Sequence, residues 1–250
     1  MTRVVVFGAD GRMGSEVCQA ISETSDLEVV AGVDIDDDLS KLPMADLAID
    51  FTHPDAVMGN IEWCIGRGLN CVVGTTGFNP ERIDQVKQWL SNRADVGVLI
   101  APNFAIGAVL TMYFASVAAP YFEAVEIIEA HHLGKADAPS GTAVSTAERV
   151  AAARAQAGCS PVPEATSHSL AGARGADVLG VPVHALRLPG VVAQEEVRLA
   201  SAGETLTIIN DARARSSYMP GVIAAARWIG HHSGLTVGLD SVLGLPMEGV

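Results

Sequence analysis

Two histidines and a lysine stand close together near the middle of the chain. His131 and His132 end a β-rich run, and Lys135 follows in the next loop. Imidazole and ammonium groups are side chains that enzymes commonly use to move protons. Their spacing therefore indicates acid–base chemistry. The alternative is a pair of exposed histidines beside an ordinary helix start.

A Pro-Ser-Gly-Thr turn lies just beyond Lys135 and begins an alanine-rich segment. Ser140 is a typical helix N-cap, which would leave the amides of Gly141 and Thr142 free to receive a carboxylate. The chain has a net charge of -13, so an anionic substrate needs a local positive site. We expect Lys135 and this turn to provide that site. The same charge argues against nucleic-acid binding.

No metal site is predicted. Adjacent residues at a strand end point to opposite sides, so His131 and His132 are poorly placed to share one ion. The cysteines are far apart and form no C-x-x-C pair, which favours reduced thiols in a cytoplasmic protein. They are Cys18, Cys64, Cys71 and Cys159.

A glycine-rich turn follows the first predicted strand, Val4–Phe7, with the spacing G-x-x-G-x-x-G. Glycines let a backbone turn tightly and approach a pyrophosphate, which then meets the N–H groups of a helix N-terminus. Asp34 ends the next strand about 20 residues later, where an acidic side chain can bind the adenosine ribose. The predicted cofactor contacts here are Gly8, Ala9, Asp10, Gly11, Arg12, Met13 and Asp34. A turn that only joins strand to helix is the alternative.

The residues after Asp34 favour NADH over NADPH. Ile35 follows directly, and residues 36–38 are three aspartates. A 2′-phosphate is bound by arginine or lysine, which an aliphatic side chain and carboxylates cannot replace. Arg12 is the one nearby cation that could let NADPH bind as well. The aspartates also suit a solvated surface turn.

Two further loops follow predicted strands, at the edge where open α/β sheets bind ligands. We expect them to contact the nicotinamide ribose and carboxamide, although both could be ordinary turns. Their candidate residues are Gly74, Thr75 and Thr76 in the first loop, and Ala101, Pro102, Asn103 and Phe104 in the second.

The elements that must position these residues follow two patterns. In the first hundred residues, short apolar strands alternate with helices, which predicts a parallel, doubly wound α/β sheet. The strands are Val4–Phe7, Val29–Val33, Leu47–Phe51, Cys71–Val73 and Val96–Ile100, and the helices are Ser15–Ser22, Pro54–Arg67 and Pro80–Asn92.

After about residue 105, the pattern becomes that of an α+β domain. A strand at Glu126–Glu129 and a helix at Gly141–Gln156 precede three runs that suit antiparallel strands, Val183–Leu188, Val191–Leu199 and Thr205–Ile209. A helix over 217–232 resembles the first part of the chain again. We therefore assign 1–104 and 213–250 to a dinucleotide-binding domain, and 105–212 to a smaller domain for substrate binding and oligomerisation.

The stretch from Val96 to Phe122 carries no charge and is long enough to span a bilayer. Pro102 interrupts it, because the residue before a proline avoids helical geometry. A buried strand, a loop and a buried helix explain the stretch better, so no membrane span is predicted.

The motif His-His-x-x-Lys-x-Asp-x-Pro-Ser-Gly-Thr-Ala, together with G-x-x-G-R-M-G, Gly-Thr-Thr-Gly and Ala-Pro-Asn-Phe in this order, resembles dihydrodipicolinate reductase. The resemblance runs over essentially the whole chain. It implies a Rossmann-type domain, an α+β domain whose sheet builds a homotetramer, and reduction by NAD(P)H of the dehydrated ring of 4-hydroxy-tetrahydrodipicolinate, a small cyclic dicarboxylate.

The resemblance also implies residue roles. His131 would be the catalytic acid/base and Lys135 the proton donor. His132, Gly141 and Thr142 would bind the substrate beside the Ser140 cap, and the glycine turn, Asp34 and the two further loops would hold the cofactor. One departure is Gly134, where many members carry histidine or asparagine, and added flexibility there would loosen Lys135. Two other functions stay open: a Rossmann oxidoreductase for a different imine, and an NAD-binding regulator without activity.

Overall fold

The structure is a computed structural model that describes residues 1–246. In chain order the strands are β1 Thr2–Phe7, β2 Leu27–Val33, β3 Leu47–Asp50, β4 Asn70–Val73, β5 Gly97–Ile100, β6 Ala124–His131, β7 Ala176–Val178, β8 Val181–Arg187, β9 Ala193–Ser201, β10 Glu204–Ala212 and β11 Gly234–Val237. The α-helices are α1 Arg12–Ser22, α2 Val57–Arg67, α3 Pro80–Leu90, α4 Ile106–Ala118, α5 Gly141–Gln156 and α6 Met219–Ile229.

These elements form two compact units. The first contains Met1–Ala105 and the described residues from Tyr218 onward, and the second is Ile106–Ser217. The sequence-based boundaries lie one residue away at the first crossing and five at the second. Residues 213–217 belong to the second unit, and the boundary falls within a short 3-10 turn, Arg215–Tyr218, between β10 and α6.

The first unit is built on a six-stranded sheet in the order β11-β5-β4-β3-β1-β2, in which every pair is parallel. Its central strands are apolar and buried because helices pack on both sides, with α2 against α3 and α1 against α6, whereas the edge strands β2 and β11 are partly exposed. The chain leaves β1 for β2 on one side and then crosses to β3 on the other. The loops after β1 and β3 therefore flank the point where the strand order reverses, which is where such sheets bind ligands. The predicted doubly wound fold is confirmed.

The second unit carries a five-stranded sheet in the order β10-β9-β6-β8-β7, with α4 and α5 packed against it. The prediction of antiparallel strands is correct for β9 with β6 and β10, but wrong for β8, which pairs with β6 in parallel. The reason is the connection: from the end of β6 the chain passes through α5 and then the edge strand β7, and the hairpin after β7 brings β8 back in the direction of β6. The short strands β7 and β11 were not predicted.

The uncharged stretch divides as its proline predicts. β5 ends at Ile100, and α4 begins at Ile106 after a loop that contains Pro102. Across residues 1–246, we find no helix with the length and apolar character that crossing a membrane requires.

Two glutamates lie opposite each other in the core of the second unit. Glu129 on β6 pairs in register with Glu195 on β9, and their residues are 0% and 4% exposed. Arg187 neutralises Glu129, whereas Oε1 of Glu195 has no hydrogen-bond partner within residues 1–246. Burial raises the pKa of Glu195 to about 7. A hydrogen bond from Thr146 acts to lower this pKa, and the charge on Glu129 acts to raise it. Glu195 therefore keeps a proton well above the usual pH range of a carboxyl group.

This raised pKa makes stability depend on pH. In the unfolded chain Glu195 has a pKa near its ordinary value of 4.5, whereas in the folded chain its pKa is about 7. Proton binding by Glu195 therefore stabilises the fold at low pH, and this stabilisation is lost as pH rises from 4.5 through about 7. At about 1.4 kcal/mol per pKa unit, Glu195→Gln should gain about 2–3 kcal/mol of unfolding free energy relative to wild type between pH 5 and pH 8. Denaturant unfolding at both pH values measures the difference. Glu204→Gln, at an exposed position on β10, is the control, and a Glu195→Gln difference independent of pH would contradict the prediction.

Candidate active site

The glycine turn after β1 is packed too closely for any side chain. Gly8 has a φ of +78°, and a β-carbon there would lie 2.7 Å from the carbonyl oxygen of Phe51. A β-carbon at Gly14 would lie 1.9 Å from the carbonyl oxygen of Gly8. These contacts bring the first turn of α1 against the end of β1, which is the backbone geometry that a pyrophosphate-binding turn needs.

The N-terminus of α1 is left without a side-chain cap. Its N-cap residue is Gly11, which makes no side-chain cap hydrogen bond to the amides that follow. By contrast, Asn79 caps α3 and Ser140 caps α5. Gly11 and Arg12 are exposed, so the first-turn amides and the positive end of the helix dipole are available to a phosphate group. The turn thus fits the dinucleotide that its spacing predicts.

Asp34 is tied to this turn. Its Oδ2 accepts a hydrogen bond of 3.0 Å from the amide of Asp10, and its own amide donates to Asp37 at 2.7 Å. One carboxylate oxygen of Asp34 therefore holds the glycine turn against β2. Ile35 is 96% exposed beside it.

A buried aspartate that the sequence reasoning missed organises the next loops. Asp50, at the end of β3, is 0% exposed and accepts hydrogen bonds from the Thr75 hydroxyl and the Asn60 amide, each at 2.7 Å, and from both the amide and the hydroxyl of Thr52. The Thr75 hydroxyl thus donates its proton to Asp50, and its contact with a ligand stays a prediction. A charged residue closing an otherwise apolar strand was the available signal.

The other loop residues divide between ligand-accessible and structural positions. Thr76 is exposed, whereas Gly74 packs on the ring of Phe51, where a β-carbon would come within 2.1 Å. In the loop after β5, Ala101 and Phe104 are buried, and Phe104 contacts the Phe51 ring at 5.7 Å between centroids. These two side chains belong to the core, and the contact of their loop with the cofactor stays a prediction. Pro102 is exposed. Asn103 is half-buried, and its side-chain oxygen accepts a hydrogen bond from the amide of Ala105.

His131 lies at the end of β6, in the second unit. Its Nδ1 is 2.7 Å from Oε2 of Glu129, two residues earlier on the same face of the strand. Burial lowers the pKa of His131, as do the charges of Lys135 and Arg187, and they outweigh the opposite effect of Glu129. His131 is therefore a neutral imidazole at pH 7.

Glu129 is held by three donors. Arg187 on β8 places one nitrogen 2.9 Å from each carboxylate oxygen, and the amide of Ser140 donates to Oε1 at 3.0 Å. Burial acts to raise the pKa of Glu129, but the hydrogen bonds of Arg187 and His131 outweigh it, and the pKa lies below its ordinary value. Neither residue was assigned a role in the site from the sequence. A glutamate two positions before His131 was a usable signal, whereas Arg187 is 58 residues from Glu129 and gave none.

Amides at the start of α5 already donate hydrogen bonds to side chains of the protein. The Ser140 hydroxyl accepts a hydrogen bond from the amide of Ala143, as predicted for an N-cap. The expectation that the Gly141 amide is free is wrong, because this amide donates to Asp137 at 3.3 Å. Asp137 also accepts a 2.7 Å hydrogen bond from Nζ of Lys135. A carboxylate of the chain thus sits where the sequence predicts an anionic substrate.

The loop between β6 and α5 exposes its remaining residues. His132 is exposed, and its carbonyl oxygen accepts a 3.2 Å hydrogen bond from the amide of Lys135. This turn restrains the backbone at Lys135. A β-carbon at Gly134 would meet only the His132 ring, at 3.4 Å, so the backbone does not require glycine there. Within the described residues 1–246, no three potential metal ligands come together.

Comparison with known proteins bears on the whole chain. Residues 2–104 match the family model for the N-terminus of dihydrodipicolinate reductase, and residues 107–243 match the model for its C-terminus. The chain is 54% identical to 4-hydroxy-tetrahydrodipicolinate reductase of Corynebacterium efficiens, over 97% of this chain and 99% of that protein. It is 52% identical to the enzyme of the same name from Cutibacterium acnes, over 98% and 100% of the two chains.

A solved structure agrees with these sequence matches. The dipicolinate-bound dihydrodipicolinate reductase of Paenisporosarcina sp. TG-14 superposes with a TM-score of 0.84 at 34% identity, covering 96% of this chain and 99% of that one. The resemblance found in the sequence motifs is confirmed. On these matches, which span both units, the chain belongs to the dihydrodipicolinate reductase family.

Proposed function

We propose that this protein reduces the dehydrated ring of 4-hydroxy-tetrahydrodipicolinate to tetrahydrodipicolinate with a nicotinamide cofactor. The observation that carries the proposal is that a neutral His131, held by Glu129 at the end of β6, is followed four residues later by Lys135, whose partner Asp137 also binds the first amide of α5. Relatives more than half identical over nearly their full length bear the name of this activity.

The first unit would hold the cofactor. The glycine turn and the uncapped N-terminus of α1 suit the pyrophosphate, and Asp34 suits the adenosine ribose. Thr76, Pro102 and Asn103 are the remaining candidates for contacts at the same edge of the sheet. When bound, NAD(P)H supplies the hydride.

The second unit would hold the ring. Lys135 is linked to the start of α5 through Asp137, and a substrate carboxylate would replace Asp137 as its partner, with His132 at the exposed side. The exchange of one carboxylate for another keeps Lys135 paired throughout. The start of α5 would bind the same substrate carboxylate through Ser140, Gly141 and Thr142.

The proton would come from the same group of side chains. Addition of hydride to a conjugated imine leaves negative charge on the ring, which a proton must neutralise. Lys135 lies in the loop after β6 and would donate this proton. His131 would act as the acid/base partner through Nε2, since its Nδ1 is engaged by Glu129.

We also propose a homotetramer in the cytoplasm, where the four free cysteines would stay reduced. The sheet face of the second unit that points away from α4 and α5 carries exposed apolar side chains. Leu186 is 44% exposed and Ile209 is 56% exposed, and Ile209 and Ile128 both pair in register with Glu196. An exposed apolar patch of this kind favours contact with a second copy of the sheet.

The first prediction concerns Lys135. Lys135→Ala should reduce turnover of the freshly prepared ring substrate by about 100-fold or more, the usual size of a lost general acid, while the Kd for NADH stays within about twofold. Steady-state kinetics and fluorescence titration measure the two quantities. Lys87→Ala, on α3, is the control. Unchanged turnover in Lys135→Ala would refute the role, and activity of the wild type on another imine alone would refute the substrate.

A second prediction concerns the cofactor. The wild type should have a higher kcat/KM for NADH than for NADPH, because Ile35 and its aspartate neighbours offer a 2′-phosphate no cation. Ile35→Arg should shift the ratio toward NADPH by about tenfold or more, the value of one charge-assisted hydrogen bond. Ile35→Gln, without the charge, is the matched control. A strong NADPH preference in the wild type would overturn this assignment.

The third prediction concerns assembly. Sedimentation equilibrium should give a mass about four times that of the 26.0 kDa chain. Ile209→Asp combined with Leu186→Asp should lower this mass, because buried charges in a subunit contact are strongly unfavourable. Met44→Asp, at an exposed apolar position of the first unit, should leave the mass unchanged. A monomeric wild type would exclude the tetramer.

A further inference from the structure

Glu129 has no part in the proposed reaction, yet the chain commits an unusual set of partners to it. It is a fully buried carboxylate that receives Arg187 on both oxygens, the Ser140 amide on Oε1 and the His131 ring on Oε2. A buried charge is retained at low cost only when several donors satisfy it. Such an arrangement beside an acid/base residue calls for a role of its own.

We infer that Glu129, held ionised by Arg187, is a positioning residue that fixes His131 as the tautomer protonated at Nδ1, with Nε2 as its reactive nitrogen. The inference deepens the proposed function and rests on the role of His131 in it. Glu129 itself touches neither ring substrate nor cofactor in this account.

The tautomer follows from the inventory of donors and acceptors. An ionised carboxylate can only accept, so the 2.7 Å contact requires a proton on Nδ1 of His131. In the neutral ring, Nε2 then carries the lone pair. The two parallel hydrogen bonds from Arg187 prevent the carboxylate from rotating, so the ring orientation is fixed as well.

The same carboxylate sets the position of the predicted substrate-binding turn. Oε1 of Glu129 receives the amide of Ser140, the N-cap of α5, while Oε2 receives His131. Arg187 also donates to the carbonyl oxygen of Asp137, the partner of Lys135. One ion pair thus holds the histidine, the lysine loop and the helix start in a single arrangement.

Charged groups on three neighbouring parts of the chain face the pair of Glu129 and His131. Arg187 lies on β8, Lys135 on the loop after β6, and Glu195 on β9 opposite Glu129. Arg187 and Lys135 disfavour a charged imidazole, and Glu129 favours it. Loss of the Glu129 charge should therefore lower the pKa of His131 further.

The test is Glu129→Gln in the full-length enzyme. The glutamine oxygen is the acceptor that Arg187 requires, so its NH₂ group would face Nδ1 of His131 and favour the opposite tautomer. We expect kcat to fall by about 100-fold or more with the Kd for NADH unchanged. We also expect ¹⁵N NMR of selectively labelled histidine at pH 8 to show the His131 proton moving from Nδ1 to Nε2, a change that simple loss of packing would not produce.

Glu126→Gln is the matched control. Glu126 lies on the same strand but on the opposite face, and it also binds an arginine and a histidine, Arg174 and His184. It should alter the His184 signal, leave the His131 tautomer unchanged and keep kcat within about twofold.

Three results would overturn the inference: an Nε2-protonated His131 in the wild type, an unchanged tautomer in Glu129→Gln, or full kcat in that variant. If Glu129→Gln does not fold, Arg187→Lys provides the second variant. It keeps a cation but loses the two-pronged contact, and kcat should fall about tenfold with partial mixing of tautomers. The wild-type tautomer is measured without substrate, so an enzyme inactive on the ring would refute the proposed function and leave the tautomer result standing.

Discussion

The second unit depends on the neutralisation of one buried carboxylate. An unpaired Glu129 in this core would cost several kcal/mol, so the fold must bring donors to it. The donors come from three places: Arg187 from β8, the Ser140 amide from the start of α5, and His131 from the end of β6 itself. Satisfying a single charge therefore fixes the mutual positions of a strand end, a helix start and a neighbouring strand. The residues of the proposed chemistry lie at the place where these elements meet.

A steric constraint has the same role in the first unit. Gly8 and Gly14 leave no space for a β-carbon, so the turn after β1 and the first turn of α1 are in backbone contact. Asp34 then holds the turn from β2, and Asp50 holds the loop after β4 through Thr75. Both carboxylates therefore use hydrogen bonds to fix the conformation of these loops. The exposed groups between them remain for a ligand.

The two helix N-termini differ in a way that suits two kinds of anion. The first turn of α1 has no side-chain cap, as expected where a phosphate supplies the missing acceptor. The first turn of α5 is capped by Ser140 and further engaged by Asp137, which also pairs with Lys135. The Asp137 carboxylate already binds Lys135 and the Gly141 amide, so a ligand carboxylate that binds there must replace it. In a chain of net charge -13, this limits the site to ligands that can displace a carboxylate.

Local sequence determined a large part of this protein. The glycine spacing, the Ser140 cap and the bounds of α5 were predictable because turns and caps depend on residues within one helical turn. Apolar strands that alternate with helices predicted the doubly wound sheet in the same way. The direction of β8, the engagement of the Gly141 amide, and the pairing of Glu129 with Arg187 and of Asp50 with Thr75 were decided only by the tertiary structure. Strand order and register bring these distant residues together, and both depend on how the whole core packs rather than on any local pattern.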